Sequence, residues 1–167
     1  MTTEPAPGPP AWQPPQETTG PAPGVRYADH GARLLSYILD VLFWGVLIFA
    51  VAIVLGGLGV ILAGAGQRLA ADLSFFGLVL AFFVVSLGYF PYFWVRGGQT
   101  PGMVVFGLKV VMDRDGGPVT VGPAILRLIG YSIDALVFYV GFAWILIDSR
   151  RRGWHDLIAG TVVIQTR

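Results

Sequence analysis

An arginine, a tyrosine and an aspartate occur with one spacing at two places in this chain. The first set is Arg33, Tyr37 and Asp40, at the head of the first long apolar run; the second is Arg127, Tyr131 and Asp134. Positions i, i+4 and i+7 fall on one helical stripe, so each octet aims a guanidinium, a phenol and a carboxylate the same way. A carboxylate two turns inside an apolar segment costs roughly 2.5–3.5 kcal/mol on insertion scales. Such a group marks an ion or proton pathway, or a buried ion pair that holds helices together. Residues seven apart on a helix are separated by about 10.5 Å along its axis. Pairing between the octets, Arg33 with Asp134 and Arg127 with Asp40, is therefore easier than pairing within one. If both octets enter a bilayer in parallel from one face, the arginines align by depth, and a carboxylate-rich layer is the alternative.

Three further stretches carry polar chemistry. Gln99-Thr100-Pro101-Gly102 predicts either a structural turn or an anion-contacting one, because N–H groups near glycines bind anions. It lacks the spacing and the lysine of a nucleotide-binding loop. Arg150, Arg151 and Arg152 serve as a topology determinant and as a possible contact for anionic lipid. In His155-Asp156 the aspartate is expected to cap a helix or pair with a nearby arginine. The only other histidine is His30, and no ligand spacing accompanies either, so no metal site is expected. No nucleophile, oxyanion donors and base can be assembled, so no enzyme and no cofactor is expected.

The elements that position these groups follow from composition. Of the 167 residues 54% are hydrophobic and 13% charged, and the apolar residues gather into runs long enough to cross a bilayer. The formal net charge of +1 supports no nucleic-acid partner, and the absence of cysteine excludes disulfides and thiolate sites. Residues 1–24 hold eight prolines and read as a disordered, Pro-rich tail; residues 25–167 form the membrane domain. Asp29 is placed to cap a first span over about 34–55, after which glycines from Gly56 to Gly66 loosen the chain. A second span covers about 73–95 and ends in the aromatic cluster around Tyr89, Tyr92 and Trp94, with Pro91 predicted to kink its last turn.

Residues 108–121 predict a β-hairpin around Asp115-Gly116-Gly117, and residues 160–165 a further strand. Unpaired strand edges have no place in lipid, which keeps these strands together on one aqueous side. The run from Ile125 to Ile147 is then read as a re-entrant hairpin of two half-length helices, broken near Tyr139-Val140-Gly141. A third transmembrane helix is the alternative. The hairpin gathers Arg96, Lys109, Arg114 and Arg150–Arg152 on one face and leaves Arg68 across the membrane. That face is cytoplasmic by the positive-inside rule, and the N-terminus with it. The fold class is an α-helical, multi-pass integral membrane protein with a small cytoplasmic β element.

The Arg33…Asp40 pair, Gly98-Gln99-Thr100-Pro101-Gly102, Gly107-Leu108-Lys109-Val110-Val111 before Asp115-Gly116, Arg127, and Gly153-Trp154-His155-Asp156-Leu157-Ile158-Ala159-Gly160-Thr161 occur in that order. Over about residues 26–165 this combination resembles the RDD family of prokaryotic membrane proteins, named for one Arg and two Asp. The resemblance implies that Arg33 and Asp40 are the first two. Asp156 is the best match to the other Asp, with Asp134 and Asp148 as competitors. Met103 stands where the family pattern has a lysine. The resemblance also implies residence in the prokaryotic cytoplasmic membrane and transport of unidentified ligands. A transport-related component is expected, using Arg33, Asp40, Arg127, Asp134 and Asp156 as a buried polar cluster and acting in the lipid bilayer as a homo-oligomer or with other membrane proteins. A non-transporting scaffold, recruiting partners by its tail or β element, is the alternative.

Overall fold

A computed structural model of the chain describes residues 20–22 and 24–166. Most of the Pro-rich tail expected over residues 1–24 therefore lies outside the described residues. Strand β1 (Arg26–Tyr27) leads into α1 (His30–Val51). Asp29 caps that helix as its sequence position suggests, its Oδ2 accepting from Gly31 N–H at 2.8 Å. The glycines after Leu55 do not end the helix. Ala52–Gly56 widens into a π-helical turn and α2 (Gly57–Gly64) continues, so His30–Gly64 forms one run of 35 residues. Ser74 Oγ donates to the Leu55 carbonyl at 2.6 Å and so satisfies an acceptor beside the widened turn.

Helix α3 (Arg68–Gly97) runs antiparallel to this, remains helical through Pro91, and stops at Gly98 in the left-handed conformation. At 1.5 Å per residue α3 is about 45 Å long, more than the hydrocarbon core of a bilayer requires. The two runs are long and apolar enough to cross a membrane. Their outward faces are bare aliphatic and aromatic surface, with Val46, Phe49, Val60, Phe76 and Val84 among the exposed residues.

The chain then forms α4 (Pro101–Val105) and β2 (Leu108–Met112). The expected hairpin is only half present. Its turn closes, with Gly116 N–H donating to Met112 O at 2.9 Å, but residues 118–121 form no second strand. Pro118 has no N–H to give a ladder, Val119 is buried in the core, and Val121 already begins α5 (Val121–Leu136). Strand β2 pairs instead with β3 (Thr161–Gln165), antiparallel, in the register Leu108↔Gln165 through Met112↔Thr161. Strand β1 covers the other edge of β3, giving the order β1-β3-β2.

Helix α5 breaks where the sequence suggests, at Phe138 and Tyr139. Both adopt positive φ (55° and 60°), and α6 (Val140–Ala143) with the 3-10 turn Trp144–Leu146 folds back at 110°. Helix α7 (Trp154–Ala159) then packs on α5 and delivers β3. The bent pair thus returns to the end it left, where Arg150 and Arg152 each reach Asp113 at 3.0 Å. The buried apolar core, with Trp94, Leu108, Val110, Val119 and Val163, sits where the sheet meets the ends of α3 and α5.

Candidate functional site

The polar residues of α1 and α5 come together at the sheet end. Along α1 the buried positions are Arg33, Ser36 and Asp40; along α5 they are Ala124, Arg127, Gly130 and Asp134. These are the two stripes that the octets mark, and they face each other. Tyr37 and Tyr131, the middle members, stack with ring centroids 5.8 Å apart.

The flanking charges do not pair across as expected. Both arginines converge on Asp156 of α7. Arg33 Nη2 donates to Asp156 Oδ2 at 2.6 Å, and Arg127 Nη1 donates to Asp156 Oδ1. Arg33 also donates to the Arg151 carbonyl at 2.5 Å, and Arg127 to Thr161 Oγ1 at 2.6 Å. Asp156 additionally accepts from Gly153 N–H at 3.1 Å, so it is at once the cap of α7 and the partner of two arginines. All three side chains are buried. Burial pushes the Asp156 carboxyl up, but the adjacent Arg127 and Arg33 guanidiniums outweigh it and hold it well below the usual carboxylate range. The other nitrogens of Arg127 have no hydrogen-bond acceptor among the described residues. The guanidinium lies over Trp94, 4.9 Å from its centroid, and 5.8 Å from that of Tyr131.

His155 extends the network to Asp134. Its Nδ1 lies 2.6 Å from Asp134 Oδ2, while Nε2 lies 3.4 Å from Asp156 Oδ2 and 3.3 Å from Arg33 Nη2. The imidazole stacks on Tyr131 at 4.3 Å between centroids. This approach of α7 to α5 depends on Gly130, because a Cβ there would overlap the His155 backbone.

Asp40 belongs to a separate cradle. Thr100 Oγ1 donates to Oδ2 at 2.5 Å, Gly102 N–H to Oδ1 at 2.8 Å, and Tyr89 OH to Oδ1 at 3.3 Å. The Gln-Thr-Pro-Gly turn is thus an anion-binding turn as well as a structural one, and the anion is the chain's own Asp40. Thr100 caps α4 with the same hydroxyl, which accepts from Met103 N–H at 3.3 Å. The three carboxylates therefore have three kinds of partner: hydrogen-bond donors for Asp40, an imidazole for Asp134, two arginines for Asp156. The direct cross-pairs Arg33–Asp134 and Arg127–Asp40 do not form among the described residues. Asp148 stands apart on a partly exposed loop, bonded to Arg152 at 3.1 Å.

Between the cradle and the network lies a narrow cleft lined by Arg33, Ser36, Tyr37, Asp40, Tyr131 and Phe142, with room for about one water molecule. Tyr37, Phe90 and Tyr131 also line a wider groove, which opens between α1, α3 and α5.

The RDD family model matches residues 27–160, which hold both octets, the cradle and α7. The chain belongs to the RDD family. Among its relatives it is 33% identical over 93 residues to the uncharacterized protein YxaI of Bacillus subtilis, covering 55% of this chain and 60% of that one. It is 34% identical over 67 residues to a proline-rich antigen homolog of Mycobacterium tuberculosis, 40% of this chain and 28% of that one. The uncharacterized protein RP437 of Rickettsia prowazekii is 33% identical over 84 residues, 50% of this chain and 46% of the relative. The chain thus spans less than two thirds of the length of each of these relatives. No solved structure matches it significantly. Within this RDD protein, Asp156 is the one of the three candidate second aspartates that bonds Arg33 among the described residues.

The sequence points to Arg33, Asp40, Arg127, Asp134 and Asp156, and to the Thr100–Gly102 turn as an anion contact without its partner Asp40, but gives no site role to Tyr89, His155 or Thr161. The glycines at 102 and 130 were the available signal, since each marks a place where backbone or side chain approaches too closely for a Cβ.

Proposed function

We propose that this RDD protein is a non-enzymatic, transport-related component of the prokaryotic cytoplasmic membrane, multi-pass and with its N-terminus cytoplasmic. In this reading Asp40 is the carboxylate that meets the moving ion or small solute. The observation that carries it is the division of labour among the acids. Asp156 is bonded to two arginines and Asp134 to the His155 packed against them, whereas Asp40 stands apart among hydroxyl and amide donors and borders a cleft that adjoins the open groove. A neutral-donor cradle lets a carboxylate change its charge without leaving a guanidinium unpaired, which an Asp156-type site does not. Two long helices and a bent pair enclose no continuous pathway, so transport calls for several copies.

The test is flux through liposomes containing the purified chain. Wild-type protein should carry protons or small cations, and Asp40→Asn should lose that flux while remaining folded. Equal flux from both proteins would remove Asp40 from the mechanism. A scaffold reading draws support from the burial of Arg33, Arg127, Asp134, His155 and Asp156 in one network, which suits a rigid platform. It predicts no flux at all, and a specific partner in pull-down that disappears on deletion of residues 1–24.

A further inference from the structure

Most cations at the sheet end are already engaged. Arg150 and Arg152 bond Asp113 and Asp148, Arg151 bonds the Ala28 carbonyl at 3.2 Å, and Arg114 bonds Asp115 at 3.1 Å. The guanidiniums expected from the sequence to meet anionic lipid are thus largely held by the protein's own acids. Arg26, Arg96 and Lys109 have no carboxylate partner among the described residues. Of these, Arg96 and Lys109 both border the cap of α3. Arg96 is in the last turn of α3, and the stem of Lys109 runs along the Gly98 cap, its Cγ 3.1 Å from where a Cβ on Gly98 would sit.

Arg96 also ends an apolar groove. The groove is lined by Gly88, Pro91, Tyr92, Val95, Arg96 and Val121, between the last turns of α3 and the start of α5. Gly88 leaves its floor open, with nothing within 4 Å of an added Cβ. The Arg96 guanidinium lies 5.8 Å above the Tyr92 ring at the mouth. An apolar trough bordered by an aromatic ring and by a cation with no carboxylate partner among the described residues matches one occupant by charge and polarity. We propose that this groove seats an anionic phospholipid of the bilayer, its chain along Gly88, Val95 and Val121 and its phosphate on Arg96, with Lys109 as a second cation.

The experiment is native mass spectrometry of the full chain in detergent, titrated with dioleoyl phosphatidylglycerol or dioleoyl phosphatidylcholine. Wild-type protein should retain the anionic lipid preferentially. Arg96→Gln should cut that preference about fivefold, the effect of one basic residue at an anionic surface. Lys109→Gln should cut it less, and Arg114→Gln not at all. Gly88→Leu, which fills the trough where there is space for it, should lower retention of both lipids while leaving thermal unfolding unchanged. An unchanged preference in Arg96→Gln, or no preference in the wild type, overturns the proposal. So does a change of oligomeric mass in Arg96→Gln without a change in bound lipid, which would make the groove an interface between copies. Displacement of the lipid by millimolar inorganic phosphate would show that the trough contributes nothing, and would also overturn it.

Discussion

The backbone N–H of Gly102 donates to Asp40 Oδ1 at 2.8 Å, tying the turn after the second long helix to the middle of the first. A side chain at Gly102 would run into Ser36 O and the Asp40 carboxylate. Gly102→Ala should therefore force the turn off α1 and cost about 1–3 kcal/mol, the usual range for overpacking. Gly45→Ala, where an added methyl meets open space on the same helix as Asp40, should be neutral or slightly stabilising. Thermal unfolding in detergent compares the two; equal midpoints would mean that the cradle does not hold α4 in place.

The two arginines on Asp156 make a stronger claim. Removing the carboxylate leaves two buried guanidiniums facing each other without a counter-charge. Asp156→Asn should cost about 3–5 kcal/mol, as breaking a buried pair does. Asp115→Asn, at the exposed pair with Arg114, should stay within about 0.5 kcal/mol of wild type. Denaturation of both variants in one detergent decides this, and a mild Asp156→Asn phenotype would show the network to be dispensable for the fold.

How far these relationships were legible in the sequence differs by kind. The presence of two long apolar helices, the Asp29 cap, the break before Val140 and strand β3 follow from local patterns, whereas the first helix runs on through the glycines that were expected to loosen it. The pairing of charges did not follow, although every participant was visible. Arg33 and Arg127 were matched to each other's octets because those were the only regular features. Asp156 sits on a six-residue helix whose approach to α5 depends on one glycine contact, Gly130 against His155. The hairpin over 108–121 was misjudged for a related reason. Its turn chemistry is real, but β3, some 50 residues away in sequence, offers β2 a five-residue ladder that the segment containing Pro118 cannot.

Acid should weaken the assembly in a defined window. Asp156 is depressed against its burial by Arg127 and Arg33, and Asp148 against its burial by Arg152. A carboxylate whose folded value lies below its ordinary one near 3.8 stabilises the fold at any pH above that value. The contribution is lost as pH falls through the depressed folded value. The unfolding midpoint should thus respond to these two groups only below about pH 4, and Asp148→Asn should flatten that acid limb. Tryptophan fluorescence melts across the acid range test it, and an identical limb in the variant would assign the acid sensitivity elsewhere.

Sheet pairing carries the last prediction, which concerns topology. Strand β1 precedes α1, β2 follows α3, and β3 follows the bent pair, yet β3 hydrogen-bonds both of the others. The two long helices run out and back, which brings β1 and β2 to one side. If residues 121–146 crossed the bilayer once, β3 would emerge on the opposite side and the sheet could not form. A reporter at the C-terminus should therefore read the same compartment as one at the N-terminus, and an insertion at Gly66, between α2 and α3, the other compartment. Opposite readings at the two termini would make the bent pair a single broken span, and the sheet would then have to be rebuilt from other partners.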